Sequence, residues 1–288
     1  MNRASLSILL CVATCVSLPA GEVSQDIDAS YNASAGASTN LGNSRNGKVS
    51  EQNTDLQYVF SYSIPDKPVI RAGFGYDRFD FGVPAGGRLP DSLQSLNLVL
   101  GADLQVSDVL IRIEAQPGFY GTLRESGSRD FNVPVVLGLS WLVSKDLQWI
   151  AGLSFDANRD LPVLGGIGVR WKLSDRWLLN AIPPHPRLEF KAGTDLTLFA
   201  GGHITSSTFR VDRRFGSSVG DARFNNALVE YTEVRAGAGL SWRVNSSATV
   251  DAELGYMAYR DFNFHKLDEN LETKSGAIYG QVGLGIRF

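Results

Sequence analysis

Residues 276–288, GAIYGQVGLGIRF, decide how the rest of the chain is read. Ile278, Gly280, Val282, Leu284, Ile286 and Phe288 fall in one phase, and Tyr279, Gln281, Gly283, Gly285 and Arg287 in the other. Successive side chains of a strand point to opposite faces, so this period of two predicts a strand with one apolar face and one face of polar groups and glycines. The run closes on Phe288. A strand at a sheet edge leaves N–H and C=O groups unpaired, and closing the last strand on the first would remove both edges.

The same alternation recurs along the chain, and each time a tight turn sends it back. Leu56, Tyr58, Phe60, Tyr62 and Ile64 reach Pro65-Asp66-Lys67-Pro68, and Ile70, Ala72, Phe74 and Tyr76 return. Equivalent hairpins turn at Ser107-Asp108, Ser144-Lys145-Asp146, Ser174-Asp175, Thr194-Asp195 and Asn245-Ser246-Ser247. Between hairpins the connections are longer and polar, at 82–94, 121–130, 158–162, 212–227 and 263–275. Residues 39–53 have no period and read as a further long loop after a weak first strand that begins at Val23. Tight turns at one end and long connections at the other are the pattern of a closed transmembrane β-barrel, with periplasmic turns and outer loops. Fourteen strands result if Pro183-Pro184-His185-Pro186 is a short outer loop; twelve result if the weak first strand stays outside and the pieces around these prolines fuse. Both counts are even, and the likeness of the turns at Asp175 and Asp195 favours fourteen. All five tryptophans, Trp141, Trp149, Trp171, Trp177 and Trp242, lie on apolar phases near tight turns, where a girdle at a membrane interface is expected.

Residues 1–20 carry Arg3 as their only charge, then a short apolar run and Ala20 ahead of Gly21-Glu22, the build of a cleaved secretory signal. That leaves 21–288 as the exported barrel domain. A lipidated Cys15 is the alternative, although Thr14 is a poor residue to precede it. Both cysteines, Cys11 and Cys15, belong to this segment, so no disulfide or cysteine metal site is expected beyond it. With 27 basic and 30 acidic residues scattered along the chain, there is no basic block to hold nucleic acid. No later segment has eighteen consecutive apolar residues, which excludes spanning helices and leaves spanning strands open.

Function would lie on the phase opposite the apolar one. It holds Arg112, Glu114, Arg170, Lys172, Arg187, Glu189, Lys191, His203, Glu233, Arg235, Asp251 and Glu253, with Arg71, Asp77 and Asp103 among others. Charges of both signs facing into a membrane barrel must meet water or each other. A water-filled pore for small solutes or ions is one reading; a lumen plugged by charges that pair across strands, in a structural or receptor-type barrel, is the other. Arg187 and Lys191 beside Arg170 and Lys172 form the most basic part of the wall, from which a weak anion preference is expected. A hydrolase would need a histidine held by a carboxylate next to a nucleophile. Only His185, His203 and His265 exist, with no nucleophile elbow, no metal-spaced histidine pair and no phosphate-cradling glycine loop, so no catalytic residue, cofactor or metal is assigned. Arg210, Arg213 and Arg214, at the start of the longest outer loop, are candidates to clamp lipopolysaccharide phosphates.

The segment Pro186-Arg187-Leu188-Glu189-Phe190, followed by Leu198-Phe199-Ala200-Gly201-Gly202, resembles part of an uncharacterised family of bacterial outer-membrane β-barrel proteins. The strand over 69–81, with its Gly75-Tyr76-Asp77-Arg78-Phe79-Asp80-Phe81 ending, is similar to theirs. The resemblance implies a barrel in the outer membrane in contact with its lipid. The terminal strand, with its apolar alternation and its ending on Phe288, itself resembles the assembly signal of outer-membrane β-barrels, which implies barrel-assembly machinery as a partner. It brings no substrate and no catalytic residue.

Overall fold

The computed structural model describes residues 21–41, 44–124 and 127–288, so the expected signal at 1–20 lies outside the described residues. The chain forms one closed sheet of fourteen staves. In order they are β1 (Glu22–Leu41), β2 (Ser44–Ser63), β3 (Val69–Gly82) and β4 (Ser92–Val106). An interrupted stave of β5 (Val109–Ala115) and β6 (Gly118–Gly121) precedes a second, of β7 (Phe131–Asn132) and β8 (Val135–Ser144). Then come β9 (Leu147–Phe155), β10 (Val163–Lys172), β11 (Trp177–Ala181), β12 (Arg187–Lys191), β13 (Leu196–Arg210), β14 (Leu228–Arg243) and β15 (Ala248–Phe264). A last interrupted stave, β16 (Glu269–Thr273) with β17 (Ala277–Arg287), completes the ring. Both early interruptions fall at prolines, Pro117 and Pro134, which have no N–H to give the ladder. Leu98 N–H still reaches the Pro117 carbonyl (2.9 Å) and Gln116 N–H the Pro134 carbonyl (2.8 Å), so the wall stays closed there.

Closure runs from Asp26↔Arg287 to Ser34↔Tyr279 between β1 and β17. Gln25 and Phe288 exchange two further backbone hydrogen bonds, of 3.1 and 2.9 Å. β11 and β12 pair with each other through Trp177↔Phe190, which makes them separate strands and fixes the count at fourteen rather than twelve. The phases are those of a membrane barrel, apolar outward and polar inward. Ile278 and Leu254, on the outward phase, are 70% and 72% exposed, whereas Tyr279 is 2% exposed and points inward. The five tryptophans are all exposed on the outer surface beside the short turns, with Trp141 opposite Trp149 and Trp177 against Phe190 at 4.9 Å between ring centroids.

Two expected loops are strand instead. β1 and β2 continue as a hairpin through Ala37↔Val49 to Leu41↔Ser44, and 263–275 contains the end of β15 and all of β16. Here Lys48, Gln52 and Asn270 are exposed on the outward face while Val49, Glu51 and Leu271 are buried inside, so polar residues stand on both phases and the lack of an apolar period does not mean loop. The β16 segment pairs with both β15 and β1 and carries the wall beyond the membrane-like belt.

Stave length varies sharply round the ring. β8 to β12 are short, while β1 to β4 and β13 to β15 run far beyond them at the long-connection end. Above the short staves, β6 meets β13 directly through Gly121↔Arg210, so fewer staves surround this end. Its interior is packed. Phe79 and Phe81 of β3 touch Tyr231 of β14 and Phe262 of β15, with Phe79–Tyr231 and Phe81–Phe262 centroids 4.8 and 5.0 Å apart, although these staves lie far apart round the ring. Phe209, Phe224, Phe264, Leu93 and Leu271 complete this buried cluster. Below the β6–β13 contact, β10 pairs with β11 only over Val169–Lys172, and β13 pairs with β12 only as far as Gly201. The gap above is bridged by the turn at Pro183–Pro186, to which Gly202 and Ile204 donate backbone hydrogen bonds.

Candidate functional site in the barrel lumen

Beneath the aromatic core lies a buried ionic cluster. Arg260 of β15, fully buried, places Nη2 2.7 Å from Glu51 Oε2 of β2 and 2.9 Å from Glu233 Oε2 of β14. It also donates to Ser34 Oγ of β1 (2.7 Å). The Tyr231 hydroxyl lies within hydrogen-bond reach of both Glu51 and Glu233, with one proton to give between them. Arg235 Nε stands 2.9 Å from Glu233 Oε1, an ion pair whose angle does not make a hydrogen bond. Two carboxylates and two guanidiniums therefore balance in a space closed to water, the condition under which buried charges are tolerated. Only Arg235 and Glu233 belong to the residues singled out from sequence.

The other inner-phase candidates fall into distinct groups. On the β3–β5 wall, Arg112 forms a two-pronged bond with Asp103 (2.7 and 2.6 Å), and Glu114 pairs with Arg71 at 2.6 Å. At the short-turn mouth, Arg170, Lys172 and Lys191 line a hollow of about 240 Å³, and Lys172 reaches Asp175 of its own turn at 2.8 Å. Midway up, Arg187, Glu189, Asp251 and Glu253 line a cavity of about 350 Å³, together with Asp28, Asp55 and His185. Arg187 lies over the Phe199 ring at 4.2 Å and 4.0 Å from Glu253, whose other oxygen accepts from Tyr279. His203 contacts Thr205 Oγ1 at 2.7 Å and stacks edge-on with His185, centroids 4.2 Å apart. His185 is thus a lumen residue rather than a lone outer-loop histidine. His265 is half-buried with both ring nitrogens shielded and without a partner.

The arginines at the long-connection end do not converge. Arg210 is taken up by the carbonyls of Arg129 and Asn226, both at 2.9 Å. Arg213 and Arg214 are exposed and line different hollows. In the same loop, Arg223 grips Asp221 with two nitrogens and reaches Glu269 at 3.1 Å. Its hydrogen bonds hold the Asp221 carboxyl below the usual carboxylate range. Among the described residues, no group of three or more His, Cys, Asp or Glu converges to hold a metal ion.

No protein-family model matches the chain, and no curated protein matches it in sequence. Among solved structures it is similar to the monoaromatic hydrocarbon channel TodX of Pseudomonas putida in a deltaS2S3 mutant form. The TM-score is 0.50 at 8% identity, covering 94% of this chain and 91% of that one. An outer membrane channel from Pseudomonas putida F1 also gives a TM-score of 0.50, at 11% identity, covering 94% of this chain and 97% of that one. At such identities the likeness is one of fold. The chain has the fold of the bacterial outer-membrane β-barrels that its own motifs resemble.

Proposed function

We propose that the chain is an outer-membrane channel for small solutes, with no catalytic step, in which the charged lower lumen conducts and the aromatic core is a closed outer gate. One observation carries this reading. The lumen changes abruptly from a polar, cavity-bearing half to a dry half in which rings from opposite walls touch. A barrel with a purely structural role has no need of a hydrated half lined by charge, whereas a channel needs one. The solved channels of similar fold support the same reading. In this reading the five exposed tryptophans sit at the membrane interface next to the periplasm, and Arg213 and Arg214 are left to meet lipopolysaccharide phosphates.

A structural or receptor-type barrel is the second reading, and the ring contacts across the lumen favour it. Proteoliposome swelling in a small neutral sugar separates the two. Wild-type protein should swell liposomes slowly, and Phe79→Ala with Phe262→Ala should speed swelling severalfold, with folding confirmed by heat-modifiable migration. If the folded double variant is as impermeable as protein-free liposomes, the gate is not a gate and the structural reading stands.

A further inference from the structure

We propose that the mid-lumen cavity binds linear organic cations carrying two or more ammonium groups; the proposal names a solute class for the channel read above. The ladder registers put Asp77, Asp55, Ser30, Gly283 and Asp251 on one rung that crosses β3, β2, β1, β17 and β15. Asp28 follows one inner-phase step nearer the mouth. With neighbouring strands about 4.8 Å apart, this row of carboxylates extends roughly 19 Å along the wall. Among the described residues, Asp28, Asp55 and Asp251 have no ion-pair partner, while the nearby cations are engaged: Arg287 with Asp26, Arg235 with Glu233, and Arg187 with Glu253 and the Phe199 ring.

A second observation adds two amides outside the acidic row. The next rung runs Asn53, Asn32, Gln281, Glu253, and Asn32, 1% exposed on the inner face of β1, has an Oδ1 with no donor. Asn180 Oδ1, at the cavity itself, is likewise shielded and unpartnered, as is Asp251 Oδ1 of the row. All three orphans are acceptors, so the missing partner is a donor. The carboxylates do not converge on one point, which argues against a bare metal ion. An ammonium group offers three donors and no acceptor, and a chain of them can follow the row from rung to rung. The anion preference expected from Arg170, Lys172, Arg187 and Lys191 fits this arrangement poorly. Arg170, Lys172 and Lys191 stand at the mouth, and Arg187 is engaged within the cavity.

Calorimetric titration of the purified full barrel in detergent with spermidine tests the proposal without requiring conduction, so failure of the channel reading is scored separately. Wild-type protein should bind spermidine, and Asp55→Asn with Asp251→Asn should weaken binding at least tenfold, while Asp175→Asn at the mouth leaves it unchanged. Asp28→Asn serves in the same way if the double variant does not fold. No binding by wild type, or equal binding by a folded lumen variant, overturns the proposal. Displacement of spermidine by magnesium at matched ionic strength would overturn it in favour of a divalent-ion site.

Discussion

Replacing Arg260 by Met tests whether the ionic cluster supports the core above it. The guanidinium makes one contact of 2.7 Å to Glu51 and two to Glu233, of 2.9 and 3.2 Å, in a place where it has no exposure to solvent. Its removal leaves Glu51 and Glu233 sharing the Tyr231 hydroxyl, with only Arg235 to balance both. Breaking a buried pair from one side costs roughly 3 to 5 kcal/mol, because the partner charge stays buried and unpaired. That is about two to four orders of magnitude in the folding equilibrium. Met fills much of the volume, so the effect is electrostatic rather than a cavity. Urea unfolding in liposomes, followed by tryptophan fluorescence, reads the change directly. Adding Glu51→Gln to Arg260→Met should recover most of the loss, since it leaves Glu233 balanced by Arg235 and an uncharged replacement of a buried ionic group is often close to neutral. A loss below about 1 kcal/mol for Arg260→Met, or an Arg260→Met, Glu51→Gln double variant no more stable than the single, would refute the reasoning.

Three further outcomes follow from the fold. Deleting Phe288 removes both hydrogen bonds it exchanges with Gln25 at the closing seam, and the yield of heat-modifiable, membrane-inserted protein should fall severalfold. Cysteines at Ser217, exposed in the 211–227 connection, and Ser246, exposed in a short turn, should differ on intact cells: an impermeant thiol reagent labels the first and spares the second, and the reverse would invert the topology. The Asp221 carboxyl, held low by the hydrogen bonds of Arg223, should titrate below the usual carboxylate range; the loop contact is then fully present above that range and is lost only as pH falls through the lowered one. An NMR titration of Asp221 reads the midpoint, which should return toward the usual range in Arg223→Ala.

The wall was legible in sequence because period-two alternation and turn chemistry are local. The outward phase of 276–288 and the tight turn at Ser107, with its left-handed φ of 53°, both follow from residues within a few positions of each other. The ionic cluster was not legible, for two physical reasons. Glu51 lies in a stretch of polar residues with no apolar period, because on this part of β2 the lumen asks for polar groups and the outward face lies beyond the apolar belt. Arg260 is hidden by a bulge. Val234 pairs with Tyr259 and Arg235 with Met257, so Ala258 is an extra residue. The inner phase of β15 accordingly shifts from Asp251, Glu253 and Met257 to Arg260, Phe262 and Phe264. A one-residue slip of this kind turns every later side chain to the other face, and no hydropathy period crosses it intact.

The closure of the outer half follows from stave length, and stave length is a sequence property. The number of strands sets the diameter of a barrel, so when β8 to β12 end early and β6 joins β13, the ring above them must narrow. A narrow ring has no room for a hydrated lumen, and its inner phase must be filled by side chains that pack. Phe79 and Phe81 on β3, Phe209 on β13, Tyr231 on β14 and Phe262 on β15 supply that filling at the ends of staves whose lower inner positions are Asp77, His203, Arg235 and Asp251. The switch from charged to aromatic on the inner face marks the level at which the short staves stop. Short hairpins in one part of the chain and inward aromatics at the ends of the long ones therefore have one cause, and together they set the level at which the lumen narrows.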